Sequence, residues 1–179
     1  MDSEARRRND IVAAIGLAIG GVFGIAGTFA PQAALRQELW LIDGAALIVA
    51  TALLTVKFSR EGRDGVAAGF LVFVAGESLI LAGNAAGLEG SLPTYGAGVA
   101  LWSASLVMTS APPLFPIWGR LAGAVAAILF ALTALLIAWG EPLLPTAAPL
   151  PALGYPFLVA AFAGWIWRLI RPADGPDGS

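Results

Sequence analysis

Cysteine and histidine are both absent from this chain, and lysine occurs once. The first absence excludes a disulfide framework, a thiol nucleophile and thiolate metal sites. The second removes the commonest metal ligand and the commonest general base. Charge is scarce as well. Only 12% of the 179 residues are charged, and the formal net charge of −2 is too small to point to nucleic acid or to an acidic substrate. Neither a Gly-x-Ser-x-Gly elbow nor a phosphate-binding Gly-Lys-Ser loop occurs. No catalytic residue, metal, cofactor or nucleic-acid partner is therefore expected, and the chain is not expected to be an enzyme.

What the chain has in excess is apolar residues, 58% of the total, more than a soluble domain of this length can hide. They fall into six runs at about 11–29, 39–56, 66–86, 95–111, 117–139 and 150–167. Each approaches the ~20 residues that a helix needs to cross ~30 Å of hydrocarbon. Short connections between them suit antiparallel neighbours. The expected fold is all-α, a polytopic membrane protein with six transmembrane helices in one bundle over residues 11–167. A polar arm at 1–10 and a polar tail at 168–179 flank it. Three arginines before the first run superficially resemble a signal peptide. That run spans 19 residues, longer than the ~7–15 of a signal core, and no small-residue cleavage site follows, so it is expected to stay as the first span.

The basic residues orient the bundle. With the N-terminus in the cytoplasm, Arg6, Arg7, Arg8, Lys57, Arg60, Arg63, Arg120, Arg168 and Arg171 all lie inside, and Arg36 alone lies outside. Cytoplasmic loops carry an excess of Lys and Arg, so both termini are expected to be cytoplasmic. The preference for arginine over lysine and the abundance of Ala and Gly suggest high-GC bacterial coding, hence a bacterial inner membrane. Trp40, Trp118, Trp139, Trp165 and Trp167 mark the ends of spans, where indole is favoured. Arg120, at the start of the fifth span, is expected to snorkel to lipid headgroups.

Three spacings carry further information. Gly16, Gly20, Gly24 and Thr28 in the first span, and Gly119, Gly123, Ala127 and Ala131 in the fifth, repeat every four residues and cut a flat groove along one face. Such grooves allow close helix approach, either within this bundle or against a second copy or a partner membrane subunit. Gly69, Gly76 and Gly83 in the third span, and Gly96, Ser103 and Ser110 in the fourth, repeat every seven. They predict a tightly packed hairpin between those spans. Asp64-Gly65-Val66-Ala67-Ala68 opens like the Asp-Gly-x-x-Ala of alcohol phosphotransferases, but the arginine and later aspartates of that pattern are missing.

The last spacing concerns polar residues inside the spans. Glu77 lies nine residues from the outer end of the third run, ~14 Å deep and close to the midplane. An acid there costs about 2.5–3.5 kcal/mol on insertion scales, and burial disfavours its anion. Asn84 lies seven residues further out on nearly the same face. Asp43 is expected ~6 Å deep in the second span, and Ser103 and Ser105 ~12–15 Å deep in the fourth. Together these five predict an outward-facing polar funnel for a small molecule, ion or proton. Asp43 and Asn84 would stand at its mouth, with Glu77 and a serine at its floor. The expected function is a small transporter, a channel-like protein or a membrane-embedded binding protein. The alternative is an accessory or scaffold subunit that docks a partner through Gly16, Gly20, Gly24, Gly119 and Gly123. A purely structural role for Glu77, bonded to Ser103 or Asn84 between helices, stands beside the functional one.

Overall fold

The computed structural model describes residues 3–171. The expected tail beyond Arg171 lies outside them. The described residues form seven helices and no strand: α1 (Ser3–Phe29), α2 (Ala33–Arg60), α3 (Asp64–Asn84), α4 (Gly87–Gly90), α5 (Leu92–Ser110), α6 (Ile117–Ala138) and α7 (Gly154–Ile170). The six long ones contain most of each apolar run, but their ends differ from the expected ones. The arm at 1–10 is already helical from Ser3, with Glu4 in the first turn, where an acid suits the positive end of the helix dipole. α2 begins at Ala33 rather than near 39. Ala33, Ala34, Leu35, Arg36, Gln37 and Glu38 all favour the helix, yet half of them are polar and escape a reading based on hydropathy. The last helix starts at Gly154 rather than 150, because Pro149 and Pro151 leave the preceding backbone without N–H donors.

Consecutive long helices pack side by side, and α7 packs back on α1, so α1, α2, α3, α5, α6 and α7 form a closed ring. Short connections make neighbours antiparallel. One end of the ring therefore gathers the start of α1, the end of α2, the start of α3, the end of α5, the start of α6 and the end of α7. Nine of the ten basic residues sit at this end. Lys57 helps to join it, with Nζ 2.9 Å from Asp10 Oδ2 on α1 and 3.2 Å from Glu61 Oε1. Arg120, expected to snorkel, bonds to the end of α5. Its Nε donates to the Ser110 carbonyl and its Nη2 to the Ala111 carbonyl, both at 2.8 Å. The last carbonyls of α5 lack helical partners, and the prolines that follow bring no N–H to serve them.

The outer surface is apolar. Ile15, Val22, Val49, Leu71, Leu121, Ile128 and Leu135, from four helices, are each exposed, while Thr51, Glu77, Ser105, Thr109 and Thr133 are buried. Helices α1 (from Glu4), α2, α3 and α6 are long and apolar enough to cross a membrane. An apolar surface around an apolar core that also holds these polar groups fits insertion into a bilayer. α7 is apolar but has 17 residues. α5 carries its polar groups inward, with Tyr95, Ser105, Thr109 and Ser110 all buried.

The small residues set the helix spacing. The Gly69, Gly76 and Gly83 seam faces α5, as the seven-residue spacing predicts. A Cβ on Gly76 would stand 2.8 Å from the Gly98 carbonyl oxygen, a backbone atom that cannot step aside. On the α5 side the seam runs through Gly98 rather than Gly96, which faces Ile137 of α6. The grooves of α1 and α6 are filled within the chain. Gly16 and Gly20 meet Ala46, Leu47 and Ala50 of α2, Gly119 meets Gly164 of α7, and Gly123 meets Ser110 of α5 and Ala161 of α7. Gly76→Leu should therefore push α3 from α5 and cost about 1–3 kcal/mol. Thermal unfolding of the purified protein reads this, and an unchanged midpoint would mean that the two helices do not cross there.

Candidate functional site

The basic end of the ring is closed by aromatic rings. Phe58 of α2 stacks on Phe70 of α3 with centroids 5.5 Å apart, and Phe115, from the α5–α6 connection, meets both edge-on. Trp165 of α7 stands edge-on to Phe70 at 4.9 Å. A second tier follows toward the middle, where Phe73 stacks on Trp102 at 5.4 Å and meets Phe162 edge-on. Edge-to-face and offset contacts of this kind add to the burial of each ring.

Beyond the second tier the ring is hollow. A cavity is lined by five of the six long helices. About 50 Å³ of it admits the centre of a water-sized sphere, so it is narrow. Its wall holds Gly20, Gly24 and Thr28 of α1, Trp40, Asp43 and Leu47 of α2, Glu77, Ile80 and Asn84 of α3, Tyr95 and Trp102 of α5, and Tyr155, Val159 and Phe162 of α7. Ser91 and Pro145 complete it from the connections. These residues belong to the half of the ring away from the basic end. The cavity is therefore blind on the basic side.

Glu77 is 2% exposed. Its Oε1 fills the space that a side chain at Gly44 would take, 3.0 Å from the position of a Cβ there. Nothing in the sequence pattern gave Gly44 that role. Glu77 Oε2 has no hydrogen-bond partner among the described residues, and the same holds for Asp43 Oδ1 and Trp102 Nε1. The Asp43 carboxyl lies on the flat face of α1, with Oδ2 2.8 Å from where a Cβ on Gly24 would stand and Oδ1 3.2 Å from one on Gly20. Glycine at those positions is what lets an acid lie between two helices. The α1 groove is thus also a wall of the cavity.

Three of the expected funnel residues, Glu77, Asp43 and Asn84, meet in this cavity, though not in the expected arrangement. Asp43 is not a shallow residue at the mouth. Because α2 starts at Ala33, Asp43 is ten residues, or ~15 Å, inside that helix. Its neighbour Gly44 touches Glu77, so the two acids share one level. Ser103 and Ser105 are not at the floor and do not line the cavity. Ser103 Oγ donates to the Ala127 carbonyl of α6 at 2.8 Å, and Ser105 is buried toward α3, where its carbonyl faces Gly69. Trp102 takes the place expected for a serine. Depth along a helix follows from residue number, but the facing side needs the helix phase against its neighbours. Interhelical bonding of Glu77 to Ser103 is not made, since that hydroxyl is engaged with α6.

Two tyrosines were missed. Tyr95 donates to the Tyr155 hydroxyl at 2.8 Å, because the Tyr155 hydroxyl is itself the donor to the Pro145 carbonyl at 3.0 Å. The chain ties its proline-rich connection to the cavity wall in this way. The available signal was that the only two tyrosines both stand in the first turns of apolar runs, where a phenol needs a partner. Tyr155→Phe leaves the Tyr95 hydroxyl and the Pro145 carbonyl without it and should cost about 1–3 kcal/mol. Tyr95→Phe spares the Pro145 bond and should cost less. Equal unfolding midpoints for the two variants would contradict the relay.

Comparison with protein-family models, with curated proteins and with solved structures finds no match to this chain.

Proposed function

We propose that this chain is a six-span protein of the bacterial inner membrane with both termini cytoplasmic, and that it binds a small molecule or ion reaching it from the outer side. It would act as a small transporter or as a membrane-embedded binding protein, without catalysis. The observation that carries this reading is the blind cavity, with a buried glutamate in its wall, one oxygen of which has no hydrogen bond, on the side of the ring away from the arginines. Acidic groups held at such depth usually serve function. A ligand site enclosed between the helices of a bundle, mostly apolar with a few convergent polar groups, is the common form. The aromatic tiers favour binding or alternating access over an open channel.

Support for six spans comes from the ring. The Gly69, Gly76 and Gly83 seam keeps α5 against α3 over fourteen residues, ~21 Å of rise, so α5 shares the depth of a helix long enough to span. α7 is in the same position between α6 and α1. Docking of a partner through Gly16, Gly20 and Gly24 has less support, since α2 fills that face. Single cysteines test the orientation cleanly in a chain that has none. With a membrane-impermeant maleimide, Glu89→Cys on α4 should label in intact cells and Ser59→Cys at the basic end only after permeabilisation. The reverse pattern would overturn the proposal.

A further inference from the structure

The chemistry of the cavity wall narrows the ligand class. Two carboxyls, Asp43 and Glu77, line it and no basic residue does. Arg36, the one arginine at that end of the ring, is turned away. Its Nη2 donates to the Ala30 carbonyl at 2.7 Å, and its guanidinium lies 5.9 Å from the Trp40 ring centroid. Among the described residues the acids therefore have no cation, although one oxygen of each is buried without a hydrogen bond. Trp102, 5% exposed, is buried in the same wall. Its indole N–H is the donor that the wall offers to the Glu77 carboxyl.

The rest of the wall is aromatic. Trp40, Trp102, Tyr95 and Phe162 line the same cavity as the two acids, and ring faces attract cations. A hard metal ion fits poorly. It asks for six or more oxygens, and no group of three or more metal-binding side chains occurs among the described residues. Backbone carbonyls cannot make up the number, because α2 and α3 run unbroken past Asp43 and Glu77 and their carbonyls are engaged in the helices. A bare ammonium asks for less. It donates to one or two carboxylates and leaves its apolar part to the rings. The ~50 Å³ open to water-sized bodies limits the charged head to a small one.

We infer that the cavity binds a small organic cation, an ammonium group carrying a short apolar chain, seated between Asp43 and Glu77 against Trp102. This rests on the proposed binding function and adds the sign and class of the ligand. The test uses the full-length protein in detergent with three matched probes, isobutylammonium, isobutanol and isobutyrate. Binding is followed by the unfolding midpoint and by tryptophan emission. Isobutylammonium should bind at least about tenfold more tightly than either of the others. Glu77→Gln should remove that preference while the protein remains monodisperse and folded. Asp43→Asn serves as the second variant and should weaken the preference. Binding of isobutanol or isobutyrate as tight as that of isobutylammonium, no binding of any of the three, or an undiminished preference in both variants would overturn the inference. Ile80→Cys separates this from the broader reading. Its labelling from the outer side, by an impermeant thiol reagent in sealed vesicles, tests the cavity alone. Labelling without cation preference sinks the ligand class only, whereas absence of labelling sinks the binding function as well.

Discussion

Phe70→Ala should be the most damaging single change in the chain, costing about 3–5 kcal/mol of stability. Phe70 is 0% exposed. It touches Phe58, Phe115 and Trp165, which come from α2, the α5–α6 connection and α7. Its removal leaves a ring-sized void that three elements cannot all close. The neighbouring Leu71 is the control. It is 58% exposed on the outer surface, where lipid would cover a leucine or an alanine alike, so Leu71→Ala should change stability by no more than about 0.5 kcal/mol. Unfolding in mixed micelles compares the two. A similar loss in both variants would mean that the aromatic tiers do not hold the ring together. Phe70→Ala carries a functional consequence too. It thins the barrier between the cavity and the basic side, so reagents excluded from that side should begin to pass.

Gly24→Leu should close the cavity. A Cβ at this position already stands 2.8 Å from Asp43 Oδ2, and a leucine adds three more carbons in the direction of the hollow. The Asp43 side chain must leave the α1 face or the helices must part, at about 1–3 kcal/mol. Access to the cavity should fall at least about tenfold, because little of its narrow volume would remain. Labelling of Ile80→Cys, with and without Gly24→Leu, measures this as a rate. Gly62→Leu, in the α2–α3 turn where nothing lies within 4 Å of a Cβ, is strained by its positive φ of 69° but leaves the cavity alone. It should lower stability without slowing the labelling. An unaltered rate in the Gly24 variant would show that α1 does not form the cavity wall.

How far the sequence led depends on the kind of signal each feature left. Six apolar runs became six long helices, and the arginine-rich rim became one end of the ring, because hydropathy and loop charge are local properties. The burial of Glu77 was legible for the same reason. An acid flanked by Gly76 and Ser78 within an apolar run has nowhere polar to go along its own helix. Asp43 was placed too shallow because the six residues before 39 are good helix formers yet half of them are polar, and hydropathy alone begins the span too late. Ser103 was assigned to the floor by depth, whereas Trp102, one residue away, turns to the cavity. One residue rotates a helix by about 100°, and only packing against α3 and α6 selects the phase. The glycine ladder of α1 reads as a groove for a helix of this bundle or of a partner, without naming the residues that fill it. Its occupants, Leu47 and Asp43 on α2, are related to it by tertiary pairing and not by spacing. The Tyr95–Tyr155 pair joins residues sixty apart and left no local trace beyond the rarity of tyrosine.

The central claim is a cavity that reaches Glu77 from the side opposite the arginines and stops there. Ile80 stands one turn from Glu77 on the same wall, so Ile80→Cys tests that claim most directly, probed with a small charged thiol reagent in right-side-out and inside-out vesicles. The account predicts modification in right-side-out vesicles and none from the arginine side. Modification from the arginine side, or from neither, would contradict it.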